Sequence, residues 1–130
     1  MTNAIIPFSD WSKLVSLFKD GIPIPFVHET FLMECRIAGT THVTDIDTKT
    51  ASIAEGSLLR FLREPDNPED KLAILILNEQ EQKIGYVPQA RNEVIAHLMD
   101  GGKLIFGRVI NKEKRGNWLH IKVQVYLRDL

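Results

Sequence analysis

The sequence predicts a mainly β fold with two helices, in which about six antiparallel strands form a small closed or nearly closed barrel. Two observations predict it. After residue 30, several segments alternate apolar and polar residues with a period of two, which is the spacing of half-buried strands. Residues 72–77 are apolar at every position, which indicates a strand covered on both faces. A closed barrel would bury such a strand and remove the free edges of the sheet.

Composition predicts a single globular domain with an added N-terminal segment. The chain has 130 residues, of which 44% are hydrophobic and 25% charged, as is ordinary for a soluble protein with a real core. We divide it into an extension at residues 1–29 and a main domain at residues 30–130. The sequence has no transmembrane run and no signal-peptide pattern, so we expect a cytoplasmic protein that crosses no membrane. The single cysteine, Cys35, lies in an alternating apolar pattern and is expected to be a buried structural thiol.

The extension is predicted to hold a helix followed by an extended connector. Ser9 and Asp10 offer a helix start, and apolar residues then recur at helical spacing as far as Gly21, a suitable C-terminal cap. Residues 22–26 contain two prolines, which exclude a helix. This segment could contact a partner protein or a second copy of the chain.

The first half of the main domain predicts two strands separated by a polar segment. The first strand ends at Gly39, and the apolar residues expected to point one way from it are Phe31, Met33, Cys35 and Ile37. Residues 43–53 are polar and rich in threonine, so a weak strand and a loop both stay open. Residues 58–63 predict a strand that carries Arg60 between two apolar neighbours.

The second half predicts a hairpin, a helix and two further strands. The apolar strand at residues 72–77 turns at residues 78–81 and returns at residues 83–87, where Pro88 stops it. An apolar helical stripe follows, closed by two glycines and formed by Val94, Ile95, Leu98 and Met99. The last two strands are predicted at residues 104–110 and 119–127, joined by a turn at residues 111–117.

A stiff polar turn at residues 63–70 leads into the apolar strand. Pro65 and Pro68 fix the backbone there, and four short polar or acidic side chains stand at the strand entrance: Asp66, Asn67, Glu69 and Asp70. Side chains held in this way suit a binding site. They equally suit an ordinary acidic turn, in which Asn67 or Asp70 bonds to the local backbone.

Charge is distributed unevenly, and catalytic motifs are absent from the sequence. Residues 103–128 carry seven basic residues against one acid, Glu113, so this part of the chain could face nucleic acid or simply be solvated. The sequence has no phosphate-binding loop, no dinucleotide fingerprint and no metal-binding spacing of histidine or cysteine. We therefore predict a protein that is not an enzyme and that holds no metal or cofactor.

The order of motifs between residues 30 and 128 resembles the HIRAN domain. A strand ends in Gly39, residues 63–74 read REPDNPEDKLAI, residues 84–88 read IGYVP, and a helix then closes on an Asp-Gly pair. The resemblance implies an OB-like, mainly antiparallel β-barrel with helices packed on it. It also implies binding of single-stranded DNA, particularly 3′ ends, in DNA repair or replication-associated processes.

The resemblance also implies a set of site residues. In such sites aromatic rings stack on bases, polar groups hold the sugar and its terminal hydroxyl, and basic residues hold phosphate. The positions that it implies are Thr40, Thr41, Arg63, Asn67, Glu69, Asp70, Tyr86, Lys112, Lys114 and Arg115.

Three of these positions differ from the DNA-binding members of the family. Thr40 and Thr41 stand in place of an Arg-Tyr pair, and Glu69 stands in place of a tyrosine. Each lost stacking contact is worth on the order of 1–3 kcal/mol, so we expect weakened binding. The basic segment at residues 112–115, which lies near the DNA site in this family, could compensate.

Two other functions are weighed against DNA binding. The chain could be a protein-interaction or regulatory module that has lost DNA binding and uses residues 1–27 to contact its partner. It could also be an accessory domain in metal-dependent hydrolysis, which is the least favoured hypothesis because the catalytic motifs are missing.

Overall fold

The computed structural model describes residues 28–129, which form one antiparallel sheet with two helices beside it. The strands are β1 (His28–Arg36), β2 (Leu58–Arg63), β3 (Ile74–Leu77), β4 (Lys83–Tyr86), β5 (Leu104–Arg115) and β6 (Trp118–Asp129). The helices are α1 (Ile46–Lys49) and α2 (Glu93–Asp100), and short 3-10 turns lie at Thr40–His42 and Gln89–Arg91. The predicted N-terminal helix and the connector at residues 22–26 lie outside the described residues.

The sheet does not close into a barrel, so the closed form of the predicted barrel is wrong. Its strand order is β1-β6-β5-β2-β3-β4, and within the described chain no ladder joins the edge strands β1 and β4. A bridge between Ala38, just after β1, and Tyr86 of β4 brings the two edges together. Pairing stops there because Gly39 turns the chain away with a φ of 75° and Pro88 has no N–H to donate.

The core lies where the predicted alternation is strongest. β6 buries every second residue, and these are Leu119, Ile121, Val123, Val125 and Leu127. β3 is buried at all four positions, as expected for a strand covered on both faces, although it begins at Ile74. Helix α2 packs Ile95 and Ala96 against this core. Cys35 is buried as predicted, and burial raises the pKa of its thiol to about 11.

Two side chains break the predicted periodicity for local reasons. Phe31 is 52% exposed because the pairing of β1 with β6 is irregular between Phe31 and Met33, which shifts the alternation. Val94 is 64% exposed because α2 turns Ile95 and Ala96 inward, so its apolar stripe begins one residue later.

Two segments differ from their predicted structure. Residues 43–53, for which a weak strand and a loop both stayed open, contain helix α1, which follows Asp45 in the left-handed conformation with a φ of 58°. The turn predicted at residues 111–117 is confined to residues 116–117, because β5 continues to Arg115, which pairs directly with Trp118. Only two residues connect the strands, and Gly116 adopts the positive φ of 60° that suits a tight hairpin turn.

Candidate nucleic-acid interface

A cleft opens where the two edge strands of the sheet meet. Its cavity of about 240 Å³ is lined by Ala38, Gly39, Asn67, Glu69, Asp70, Ala73, Tyr86, Val87 and Gln89. A neighbouring hollow of about 530 Å³ shares four of these residues and adds His42, Pro68 and Lys83. We call the two together the edge cleft. Four predicted site residues therefore lie together, and these are Asn67, Glu69, Asp70 and Tyr86.

The floor of the edge cleft exists because Gly85 lets two backbones approach closely. Ala38 N donates to Tyr86 O at 2.8 Å, and Tyr86 N donates to Ala38 O at 2.9 Å. A Cβ atom on Gly85 would lie 2.3 Å from Ile37 Cγ2 and 2.6 Å from Ala38 O. Only glycine permits this contact, so the glycine of the IGYVP motif determines how near the segment after β1 comes to β4.

Asn67 folds the polar turn on itself. Its Oδ1 accepts hydrogen bonds from Glu69 N at 2.9 Å and Asp70 N at 3.2 Å, and its Nδ2 donates to Glu64 Oε1 at 3.1 Å. An asparagine side chain that bonds the backbone two or three residues on is a common turn device. The structure therefore gives Asn67 a conformational role that does not depend on a ligand.

Asp70 joins the same turn to helix α2. Its Oδ1 accepts from Leu72 N at 2.9 Å, and its Oδ2 accepts from Asn92 Nδ2 at 2.7 Å, while Asn92 is itself buried. Each carboxylate oxygen has two lone pairs, so both oxygens of Asp70 retain capacity for a further donor. The carboxylate is thus held in one orientation at the cleft wall.

Arg63 stabilises the end of the polar turn through hydrogen bonds to backbone carbonyls. Its side chain is 12% exposed; Nη1 donates to Ala73 O at 2.7 Å, and Nη2 donates to Lys71 O at 2.9 Å. Nε donates to Asp100 Oδ1 at 2.9 Å, and this hydrogen bond lowers the pKa of Asp100. The guanidinium predicted to contact phosphate is therefore directed at protein acceptors, and it does not line the edge cleft.

Tyr86 offers a fixed aromatic ring at the cleft. Its hydroxyl donates to Glu64 Oε1 at 2.7 Å, and the Lys83 ammonium lies 4.7 Å from the ring centroid. Burial, followed by the hydrogen bond to Glu64, raises the pKa of Tyr86 to about 12. The phenol therefore stays neutral and hydrogen-bonded at any pH near 7, which holds the ring in place.

The two threonines after Gly39 are placed differently from each other. Thr40 is buried, and its hydroxyl donates to Leu119 O at 3.2 Å, so it ties the turn to β6. Thr41 is exposed. The side chain of this turn that lines the edge cleft belongs instead to His42.

The three β5 cations predicted to contact phosphate already have partners within the chain. Lys112 Nζ donates to Thr50 O at 2.5 Å, and Lys114 Nζ lies 3.0 Å from Asp47 Oδ2. Arg115 pairs with Glu113 at 3.1 Å. None of these three predicted phosphate contacts lines the edge cleft.

Sequence reasoning missed His42 and Lys83, which do line the cleft. No simple spacing rule finds Lys83, because the ladder between β3 and β4 is irregular between Ile76 and Leu77. The cleft walls carry Glu69 and Asp70 against the single lysine, so this surface is concave without being strongly basic.

The part of the chain that the structure describes has neither a cluster of metal-binding side chains nor a helix that could span a membrane. No cluster of three or more histidine, cysteine, aspartate or glutamate residues is arranged there to hold a metal ion. None of the described helices has the length and apolar character needed to cross a bilayer.

Comparison with known proteins yields a family match and three similar structures. The family model described as HIRAN domain matches residues 30–128, whereas no match is found among curated proteins. A crystal structure of a protein from Lactobacillus plantarum is 24% identical with a TM-score of 0.75, covering 80% of this chain and 99% of that one. Crystal and NMR structures of the HIRAN domain of human HLTF are each 18% identical, with TM-scores of 0.61 and 0.52. Both cover 77% of this chain and 78% of theirs, and identities this low show likeness of fold alone.

Proposed function

The chain belongs to the HIRAN domain family, and from this we propose that it is a non-enzymatic domain that binds the 3′ end of single-stranded DNA in the edge cleft. HIRAN domains bind nucleic acid as a family. The observation that carries the proposal is the gathering of Gly39, Asn67, Asp70 and Tyr86, all from the family's motifs, around one concave surface. A role in DNA repair or replication would follow from binding such ends.

Three side chains are proposed to contact the end of the DNA strand. The Tyr86 ring serves as a stacking platform for a base, since aromatic stacking tolerates any base. Asp70 accepts a hydrogen bond from the terminal hydroxyl with its free lone pairs. Lys83, which no carboxylate of the described residues reaches within ion-pair range, holds a phosphate.

In this proposal Lys83 contacts phosphate in place of the basic segment of β5 at residues 112–115. Lys112, Lys114 and Arg115 already bind a carbonyl or a carboxylate of the chain, and recruiting them would break those contacts. Because Lys83 is then the principal phosphate contact, and Glu69 stands near it, binding is expected to be weak and easily screened by salt.

Replacing Lys83 with methionine tests this assignment. We expect Lys83→Met to weaken binding of a 5′-fluorescein-labelled thymidine dodecamer about fivefold or more at low salt, because a charge-assisted phosphate contact is lost. Fluorescence anisotropy measures the change. The slope of log affinity against log salt should also fall by about 0.7, the value for one phosphate contact on a single strand.

A matched control variant distinguishes DNA binding at the edge cleft from a general effect of the protein's positive charge. Lys103 is exposed on the described surface, lies 4.0 Å from Asp129 and lines neither part of the edge cleft. Lys103→Met should leave the affinity and the salt slope unchanged. Equal losses in both variants would show that binding depends on overall charge and would refute the assignment of Lys83.

The protein-interaction hypothesis concerns residues 1–27, which lie outside the described residues, and it stays a prediction. Deletion of these residues would separate the two functions. The alternative would be favoured if the intact chain binds a protein partner but no DNA, and if deletion of residues 1–27 abolishes binding of that partner.

A further inference from the structure

A second concave surface lies across three strands and shares no lining residue with the edge cleft. Its cavity of about 150 Å³ is lined by Arg36 of β1, by Asn111, Glu113 and Arg115 of β5, and by His120 and Lys122 of β6. We call it the strand groove. Arg36 pairs with Lys122 across the strands, and Glu113 pairs with His120, so each pair projects from the same face of the sheet.

The charges of the strand groove are incompletely balanced. Arg115 is paired with Glu113 at 3.1 Å, and Lys122 lies 3.9 Å from Glu34. Arg36 is exposed and forms no ion pair within 4.0 Å with a carboxylate of the described residues, although its charge, after that of Arg115, helps to lower the pKa of Glu113. Like charges directly opposite each other on neighbouring strands destabilise a sheet, so the Arg36–Lys122 pair would be relieved by an anion bound between them.

His120 adds a second sign of a ligand. Its Nε2 is buried and has no hydrogen-bond partner among the described residues. Buried polar atoms without partners are rare in native proteins, and an ion or ligand is one accepted reason for them. His120 is one of the residues that line the strand groove, together with Arg36 and Lys122.

Trp118 adds an aromatic surface beside His120, one of the residues that line the strand groove. It is 55% exposed, and its ring centroid lies 3.8 Å from that of His120. An exposed ring beside a cationic groove is the arrangement with which proteins hold single strands, since the ring stacks on a base and the cations follow the backbone.

The strand groove and the edge cleft flank one stretch of backbone. Ile37 N donates to Ile121 O at 2.9 Å, and Thr40 Oγ1 donates to Leu119 O at 3.2 Å, so the segment after β1 runs beside β6. Arg36 and Gly39 line different sites only three residues apart, a span of at most roughly 11 Å. One nucleic-acid strand can therefore contact both.

We propose that the strand groove is a second contact for single-stranded nucleic acid, in which Arg36 and Lys122 bind a phosphodiester and Trp118 stacks on a base. The inference rests on the proposed DNA-binding function, yet it assigns residues that the edge cleft does not use. It also explains how a weak end-binding cleft gains affinity, because two linked contacts on one strand bind more tightly than either alone.

The test uses the intact chain with a thymidine dodecamer. Arg36→Glu should weaken dodecamer binding about tenfold, since one phosphate contact becomes repulsive. Trp118→Ala should weaken dodecamer binding by about 5- to 150-fold, the range of one stacked base. Lys103→Glu, on a surface that lines neither site, is the matched charge control. Thermal melting of each variant verifies the fold.

Tryptophan fluorescence gives an independent readout. The chain has two tryptophans, Trp11 and Trp118, and stacking of a base on Trp118 should quench its emission. Quenching by the dodecamer that disappears in Trp118→Phe, together with the Arg36→Glu loss, would support the inference. Unchanged dodecamer binding in both folded variants, or equal quenching by an acidic peptide, would overturn it. If Lys83→Met has no effect while these losses remain, only the edge-cleft assignment fails.

Discussion

Replacing Gly85 with alanine should lower the free energy of unfolding by roughly 3 kcal/mol, the upper range for inserting one methyl group into a packed site. The added Cβ would lie 2.6 Å from Ala38 O, a backbone atom that cannot rotate away, and 2.3 Å from Ile37 Cγ2. Relief requires the segment after β1 to move from β4. The two hydrogen bonds of the Ala38–Tyr86 bridge would then be lost. Urea unfolding followed by circular dichroism measures the change.

Gly101→Ala is the matched control for this prediction. Its Cβ would meet only His97 O at 3.4 Å and Leu98 O at 3.5 Å, and Gly101 has a φ of −77°, which any residue adopts. The variant should therefore be neutral or stabilised by about 0.4–1 kcal/mol. Equal stability of the two variants would contradict the view that close packing at Gly85 determines how the sheet edges meet.

Replacing Glu69 with tyrosine should tighten binding of single-stranded DNA by about 5- to 150-fold at low salt, corresponding to one added stacking contact. Glu69 is exposed and lines the edge cleft with Tyr86. Its backbone N–H bonds to Asn67 Oδ1, and that contact does not depend on the side chain. The substitution therefore restores the aromatic residue expected at this position without altering the turn. Fluorescence anisotropy with the labelled dodecamer measures the gain.

Glu69→Gln separates the two effects of that substitution. Glutamine removes the negative charge near the phosphate but adds no ring, so it should tighten binding only about twofold to threefold, as expected for a screened surface charge. If Glu69→Tyr bound no more tightly than Glu69→Gln, stacking at this position would be excluded.

Local pattern was sufficient to predict most strands. The alternation of β6 identified its buried residues, and the limits of β2 at Leu58 and Arg63 agree with those predicted. Both depend on side-chain periodicity within one strand, which the sequence contains directly. Sheet closure depends instead on where pairing between distant edges stops. That point is fixed by the backbone at Gly39 and by Pro88, and periodicity carries no information on it.

The candidate site was only partly predictable for a similar reason. Family motifs identified Asn67, Asp70 and Tyr86, which do share the edge cleft. The cations of β5 looked available in the sequence, but the partners of Lys112 and Lys114 lie 62 and 67 residues away. Such long-range pairs arise from the fold and have no signature in composition.

We propose that the edge cleft recognises a 3′ end through Asp70 and Tyr86. The most direct measurement compares two 5′-fluorescein-labelled thymidine dodecamers, one with a 3′ hydroxyl and one with a 3′ phosphate, by anisotropy at low salt. The dodecamer with the 3′ hydroxyl should bind at least about tenfold more tightly than the one with the 3′ phosphate. A terminal phosphate would replace the hydrogen-bond donor to Asp70 with a negative charge that repels the carboxylate. Equal affinity for both oligonucleotides would contradict end recognition, and absence of binding to either would contradict the proposed function itself.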